Sequence, residues 1–187
     1  MSRTDFMLKY SEGKILDIGC TGKDGGKLHS EIMKQKSDVY GIDVRPLDTP
    51  RFILGNCYML PFPDGGFDTV IMGEVIEHLL YPDIALGEVR RVLKPSGKLV
   101  VTVPNDYSSG RIINYVLRNK ELEQNLDHKW VFTPMMLGRL LVSSGFNVLV
   151  LKTLKPNNRF GNHIALCACK RSQMLGGKDE NNSKVFA

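Results

Sequence analysis

The sequence predicts an α/β fold, a mainly parallel sheet covered by helices on both faces. Three observations predict it. Between residues 14 and 170, short β-branched runs alternate with amphipathic stretches, the rhythm of strand and crossover helix. The run Phe67–Met72 is near-continuously apolar, as a strand buried on both faces is. Glycines follow directly on the first run, where an open α/β sheet turns from strand to helix beside its ligand crevice. A chain of 187 residues can bury about 70% of its unfolded surface, which suits one core and not two.

The elements follow in order. Lys14–Ile18 reads as the first strand, and a Gly-rich turn leads to a helix over Gly26–Gln35, where Leu28 and Ile32 share a face at i, i+4. Asp38–Asp43 is a second strand ending in an acid, Arg51–Leu54 a short third and Phe67–Met72 the fourth. Pro82–Leu93 is a helix with Pro82 and Asp83 in its first turn. Its apolar face is Ile84, Leu86, Val89, Val92 and Leu93, and Lys94-Pro95-Ser96-Gly97 is its stop. Lys98–Val103 is a fifth strand. The stretch from Asn105 to Pro134 exceeds an ordinary connection and reads as a substrate-side insertion with one helix around Ile112, Ile113, Val116 and Leu117. Thr133-Pro134 starts a helix to about Ser143 that Gly145 ends, and Phe146–Leu151 and Ile164–Lys170 pair as an antiparallel ribbon. The expected organisation is one domain over residues 1–170 and a loose, aperiodic tail over 171–187.

Composition narrows the function classes. The net charge of +5 is concentrated partly in the tail, so the body is only weakly basic, a poor argument for an obligatory nucleic-acid partner. The first fourteen residues hold no apolar signal-peptide core, and no apolar run approaches the ~20 residues of a membrane span; the expectation is a soluble, cytoplasmic chain. Cys20, Cys57, Cys167 and Cys169 form no C-x-x-C pair and read as reduced thiols, with no metal site expected. His29 and His163, without carboxylate or thiol neighbours at ligand spacing, read as structural.

The chemistry starts at Lys14-Ile-Leu-Asp17-Ile-Gly19-Cys-Thr-Gly22. Its partner signal is Asp43 at the end of strand two, where a carboxylate accepts both hydroxyls of an adenosine ribose. A triphosphate-binding loop fails, because Asp17 and Thr21 occupy the position of its first glycine. The dinucleotide fingerprint fails too, because Thr21 stands where its second glycine approaches a pyrophosphate. An adenosine ligand without phosphates fits better, and a nicotinamide-dependent dehydrogenase does not.

LDIGC at 16–20, GID at 41–43, GNCYMLPFPDGGFDTV at 55–70, GEVIEHL at 73–79, EVRRVLKPSGKLVVTVPN at 88–105, HKWVFTP at 128–134 and SSGF at 143–146 together resemble the class I S-adenosylmethionine-dependent methyltransferases. The narrower resemblance is to their small-molecule branch that includes the quinone-biosynthesis enzymes. It implies a Rossmann-like, doubly wound, seven-stranded sheet, mostly parallel with an antiparallel last strand, and S-adenosylmethionine as cofactor. Asp17 and the backbone around Gly19 and Cys20 would hold the methionine part, and Asp43 the ribose. Val44 and Cys57 would sandwich the adenine, Asn56 would reach its amino group, and Gly73 would border the transferring methyl. The chain departs from the family at Thr21-Gly22-Lys23, where the glycine pattern usually continues and Gly25 or Gly26 would compensate, and at Asn56, usually an Asp.

A sulfonium is an activated methyl donor, so the protein's main task is to hold the acceptor in line. A hydroxyl or protonated amine acceptor also needs a base, for which His78 and His128 are the candidates. Trp130, Phe132, Tyr107 and Tyr115 are candidate walls of an acceptor pocket, and Arg111, Arg118 and Lys120 candidate partners of an anionic acceptor. The expected acceptor is a small molecule, lipid or glycan intermediate. The competing readings are a transfer-RNA-modifying methyltransferase and a non-catalytic cofactor-binding partner subunit. Met72-Gly73-Glu74 replaces the Pro-containing loops that resemblance assigns to base methylation.

Overall fold

A computed structural model describes residues 1–105, 127–154 and 163–171. In chain order the elements are α1 (Arg3–Tyr10), β1 (Ile15–Ile18), α2 (Lys27–Gln35), β2 (Val39–Asp43), β3 (Phe52–Leu54), β4 (Phe67–Gly73), a 3₁₀ turn (Ile76–His78), α3 (Pro82–Val92), β5 (Leu93–Pro104), α4 (Pro134–Ser143), β6 (Phe146–Leu154) and β7 (His163–Lys170). The strands form one seven-stranded sheet in the order β3-β2-β1-β4-β5-β7-β6. β1 pairs parallel with β2 and β4, while β7 runs antiparallel to both β5 and β6. The strand order reverses between β1 and β4, and the carboxyl ends of those strands open the crevice that an open α/β sheet offers to ligands.

The buried strands carry the core. Leu16, Ile18, Val70, Met72, Leu99 and Val101 face one helical layer with Leu86, Val89 and Leu137, whereas Ile15, Ile71 and Val100 face the other with Phe6, Met7 and Ile32. This is the period of two along each strand expressed on two covered faces. In α3 the inward residues are Ala85, Leu86, Val89 and Val92, while Ile84, expected on the apolar face, is exposed; one position of phase separates the two. β5 begins at Leu93, so the Lys94–Gly97 stop lies within a strand whose register shifts between Phe67 and Thr69 of β4. A bulge absorbs the extra residues.

The helix α1 has no counterpart in the expected elements. Ser2 and Asp5 form a reciprocal capping box at its start, and Phe6 and Met7 are wholly buried. Met7 also shapes the crevice: a Cβ on Gly73 would stand 2.6 Å from its Cε, so any larger residue there must displace the end of the Met7 side chain. The helix expected around Ile112–Leu117, with Tyr107, Arg111, Tyr115, Arg118 and Lys120, and the tail from residue 172 lie outside the described residues.

Candidate active site

A cavity of about 860 Å³ opens at the carboxyl ends of β1, β2 and β4. Its walls include Asp17, Gly19, Cys20, Asp43, Val44, Cys57 and Gly73, together with Glu77, His78 and His128. The fold therefore brings together both strand-end acids, both candidate adenine-flanking residues and both candidate histidines.

Asp17 ends β1 almost wholly buried, and its Oδ2 lies 2.8 Å from Nδ1 of His29 on α2. Burial raises the Asp17 carboxyl, and the His29 hydrogen bond counteracts it. His29 is thus no isolated structural histidine. It orients the first acid of the site, while its Nε2 is buried without a hydrogen-bond partner.

Gly19 follows with φ +76°, and a Cβ there would meet Val75 Cγ2 at 2.3 Å. The glycine thus serves the turn's backbone and the close approach of the loop after β4. Gly22 lines the cavity, and the two glycines expected to compensate for the altered pattern stand off its lining; Gly26 caps α2 instead. The Cys20 thiol is pushed up to about 12 by burial and stays protonated at neutral pH.

Asp43 ends β2 and accepts the Thr21 N–H at Oδ2 (3.0 Å) and the Arg45 N–H at Oδ1 (2.9 Å). The aspartate so ties the first loop to the second strand. A carboxylate offers about four acceptor positions, so two remain for ribose hydroxyls. Val44 is 69% exposed yet lines the cavity with half-buried Cys57, two apolar surfaces open to a planar ring. Asn56 departs from its expected role: it is exposed, stands off the cavity lining and spends Oδ1 on the Tyr58 N–H at 3.0 Å. The side chain closes a local turn, a habit of Asn that competes with ligand binding.

The wall that carries both candidate histidines is built on the 3₁₀ turn. Glu74 precedes it in the left-handed region at φ +58°, a strained conformation for a residue with a Cβ and one that gathers at functional sites. Glu74 Oε2 lies 3.7 Å from His163 Nε2 and Oε1 lies 3.9 Å from Arg3, so His163 too has a carboxylate neighbour, supplied by the fold. Segment 127–130 folds back on the turn. Lys129 and Trp130 donate their backbone N–H groups to the Glu77 carbonyl at 2.7 and 3.1 Å. His78 Nδ1 lies 3.1 Å from the Asp127 carbonyl, and Trp130 Nε1 donates to the Leu79 carbonyl at 2.7 Å. His78 and His128 consequently meet edge to face, ring centroids 4.7 Å apart.

Glu77 escaped sequence reasoning. It is 1% exposed, both carboxylate oxygens lack a hydrogen-bond partner among the described residues, and it lines the cavity. Burial first, and then the Glu74 charge, push its carboxyl up to about 8. Two of the expected wall residues stand elsewhere: Phe132 is in the core and Trp130 lies off the cavity lining.

Residues 16–101 match the model of a methyltransferase domain. A curated relative, the ubiquinone/menaquinone biosynthesis C-methyltransferase UbiE of Paraburkholderia xenovorans (strain LB400), is 34% identical over 102 residues, 47% of this chain and 42% of that protein. The chain thus spans less than half the length of that relative. A [4+2]-cyclase, SpnF, shares the fold at TM-score 0.70 and 18% identity over 90% of this chain and 79% of that one. The 1,6-didemethyltoxoflavin-N1-methyltransferase of Burkholderia thailandensis, solved with its substrate and S-adenosylhomocysteine, does so at TM-score 0.67 and 13% identity over 90% and 76%. At such identities the structures share architecture alone, and one architecture hosts different chemistries. The matched domain, the strand order and the acids in two adjacent strands together make the chain similar, over about half its length, to the class I S-adenosylmethionine-dependent methyltransferases, with a resemblance to the quinone-biosynthesis enzymes.

Proposed function

We propose that this chain binds S-adenosylmethionine in the cavity and transfers its methyl group to an acceptor on a small molecule, lipid or glycan intermediate. The observation that carries the reading is the gathering in one cavity lining of the strand acids Asp17 and Asp43 with Glu77, His78 and His128. The residues fit the cofactor: buried Asp17 for its ammonium, Asp43 with free acceptor positions for the ribose, Val44 and Cys57 for the adenine. Gly73, with no side chain, gives room beside the methyl.

The bound cofactor supplies an electrophilic methyl on a sulfonium. The protein's own contribution is placement. The acceptor atom must sit about 3–3.5 Å from the methyl and in line with the leaving sulfur, which the wall of Gly73 and the 3₁₀ turn would fix. Where the acceptor carries a proton, His78 or His128 takes it. The hydrogen bond from His78 Nδ1 to the Asp127 carbonyl leaves its Nε2 lone pair available. No helix among the described residues is long and apolar enough to cross a membrane.

The test is transfer of tritiated methyl from S-adenosylmethionine to a cell extract separated into small molecules, lipids and RNA. Label in the small-molecule or lipid fraction is expected. Label confined to RNA would instead support the transfer-RNA reading, and no label at all would support a non-catalytic role.

A further inference from the structure

We propose that Glu77, His78 and His128 bind a divalent first-row transition-metal ion on the acceptor side of the cavity. One ligand atom from each residue lies within 4.8 Å of the other two. Donors about 2.0–2.2 Å from a shared ion stand about 3–4 Å apart, so a contraction of at most about 1–2 Å, within reach of side-chain rotation, completes the set.

Two further observations point to an ion. First, the Glu77 carboxylate is buried with neither oxygen hydrogen-bonded among the described residues, and it lines the cavity. A buried carboxylate without a partner is costly, and a cation removes that cost. Second, His78 is held as a metal-ligating histidine is held. A carbonyl only accepts, so the contact of Nδ1 with the Asp127 carbonyl makes Nδ1 the protonated nitrogen and Nε2 the bare donor. The scaffold is anchored as well, since the backbone bonds of Lys129 and Trp130 to the Glu77 carbonyl hold the His128 segment against the turn that carries the other two donors.

The donor set selects the class of ion. Two imidazoles and one carboxylate suit manganese, iron, cobalt or zinc, whereas calcium and magnesium favour all-oxygen sets. Three protein donors leave coordination positions open, and all three residues line the cavity. An oxygen of the acceptor can fill such a position, which narrows the substrate class to hydroxylated acceptors. This narrowing rests on the methyl-transfer reading; the binding of the ion does not. In the step so favoured both histidines hold the ion and neither acts as the base, so the acceptor O–H bond breaks and its proton passes to solvent. The oxygen forms a bond to the methyl carbon as the sulfonium C–S bond breaks, and that electron pair stays on sulfur.

The test is a Co²⁺ titration of the chelator-stripped full chain followed by visible absorption, with S-adenosylhomocysteine binding measured in parallel. One saturable equivalent is expected. It should weaken about 10-fold or more in both Glu77→Gln and His128→Asn, while affinity for S-adenosylhomocysteine stays within twofold of the parent. Zn²⁺ should displace Co²⁺, and equal Mg²⁺ should not. No saturable spectrum, or one that both variants leave unchanged, overturns the site; displacement by equal Mg²⁺ overturns the class of ion. Co²⁺ binding by a chain that does not bind S-adenosylhomocysteine would leave the metal site standing and remove the cofactor reading.

Discussion

Asp17 at the end of β1 and His29 in α2 form a buried pair, with Oδ2 and Nδ1 2.8 Å apart. The pair links the acid expected to hold the cofactor's ammonium to the helix that follows the first loop. Loss of one partner leaves the other buried and uncompensated. His29→Ala should therefore cost about 3–5 kcal/mol in stability, read from denaturant unfolding, and should lower affinity for S-adenosylhomocysteine as well. A loss under about 1 kcal/mol would mean that Asp17 needs no partner.

Gly19 and Val75 test how the first loop and the loop after β4 fit together. Gly19→Ala introduces a Cβ at φ +76° and 2.3 Å from Val75 Cγ2, and should cost about 1–3 kcal/mol. Val75→Ala in the same chain removes the clash and leaves the backbone strain. The double variant should therefore be less destabilised than the two single costs added together, as a double-mutant cycle measures.

Glu88 carries a pH signature. Its carboxylate accepts from Arg91 Nε and Nη2 at 2.8 and 2.9 Å and from the Leu60 N–H at 2.8 Å. The Arg91 hydrogen bonds hold its carboxyl below the usual range. A depressed folded-state value stabilises the protein above the unfolded glutamate value of about 4.3 and ceases to do so as pH falls through the folded value. Glu88→Gln should then cost about 1–3 kcal/mol at pH 7 and progressively less below about pH 4, in denaturant midpoints measured across that range. An equal cost at both ends would show that charge plays no part.

Phe6→Ala should cost about 3–5 kcal/mol, because Phe6 is wholly buried under the sheet. The same variant should weaken S-adenosylhomocysteine binding through Met7, which packs against Gly73. Thermal unfolding and calorimetry read the two effects separately.

Sequence reading was strongest where hydrophobic periodicity and turn chemistry agree. Strand positions fall within a few residues of expectation, because apolar runs bounded by Gly, Pro and Asp carry their own limits; β5 is the exception, beginning at Leu93 and running through the expected Lys94–Gly97 stop. The helix α1 was legible in principle through Ser2 and Asp5, a capping box three residues apart. The contacts of His29 and His163 were not legible, since each carboxylate partner comes from a different element. Glu77 was hidden for another reason: a glutamate in a polar-looking EH turn gives no hint that both oxygens are buried. Asn56 shows the opposite failure, a plausible ligand residue whose side chain satisfies its own turn.

The most direct measurement is calorimetric titration of the purified chain with S-adenosylhomocysteine, with NAD as control. One-to-one binding of S-adenosylhomocysteine and none of NAD is the predicted result, accompanied at about 100 Kd of ligand by roughly 2.7 kcal/mol of stabilisation in thermal unfolding. Absence of both heat and stabilisation with S-adenosylhomocysteine would contradict the assignment of the cavity.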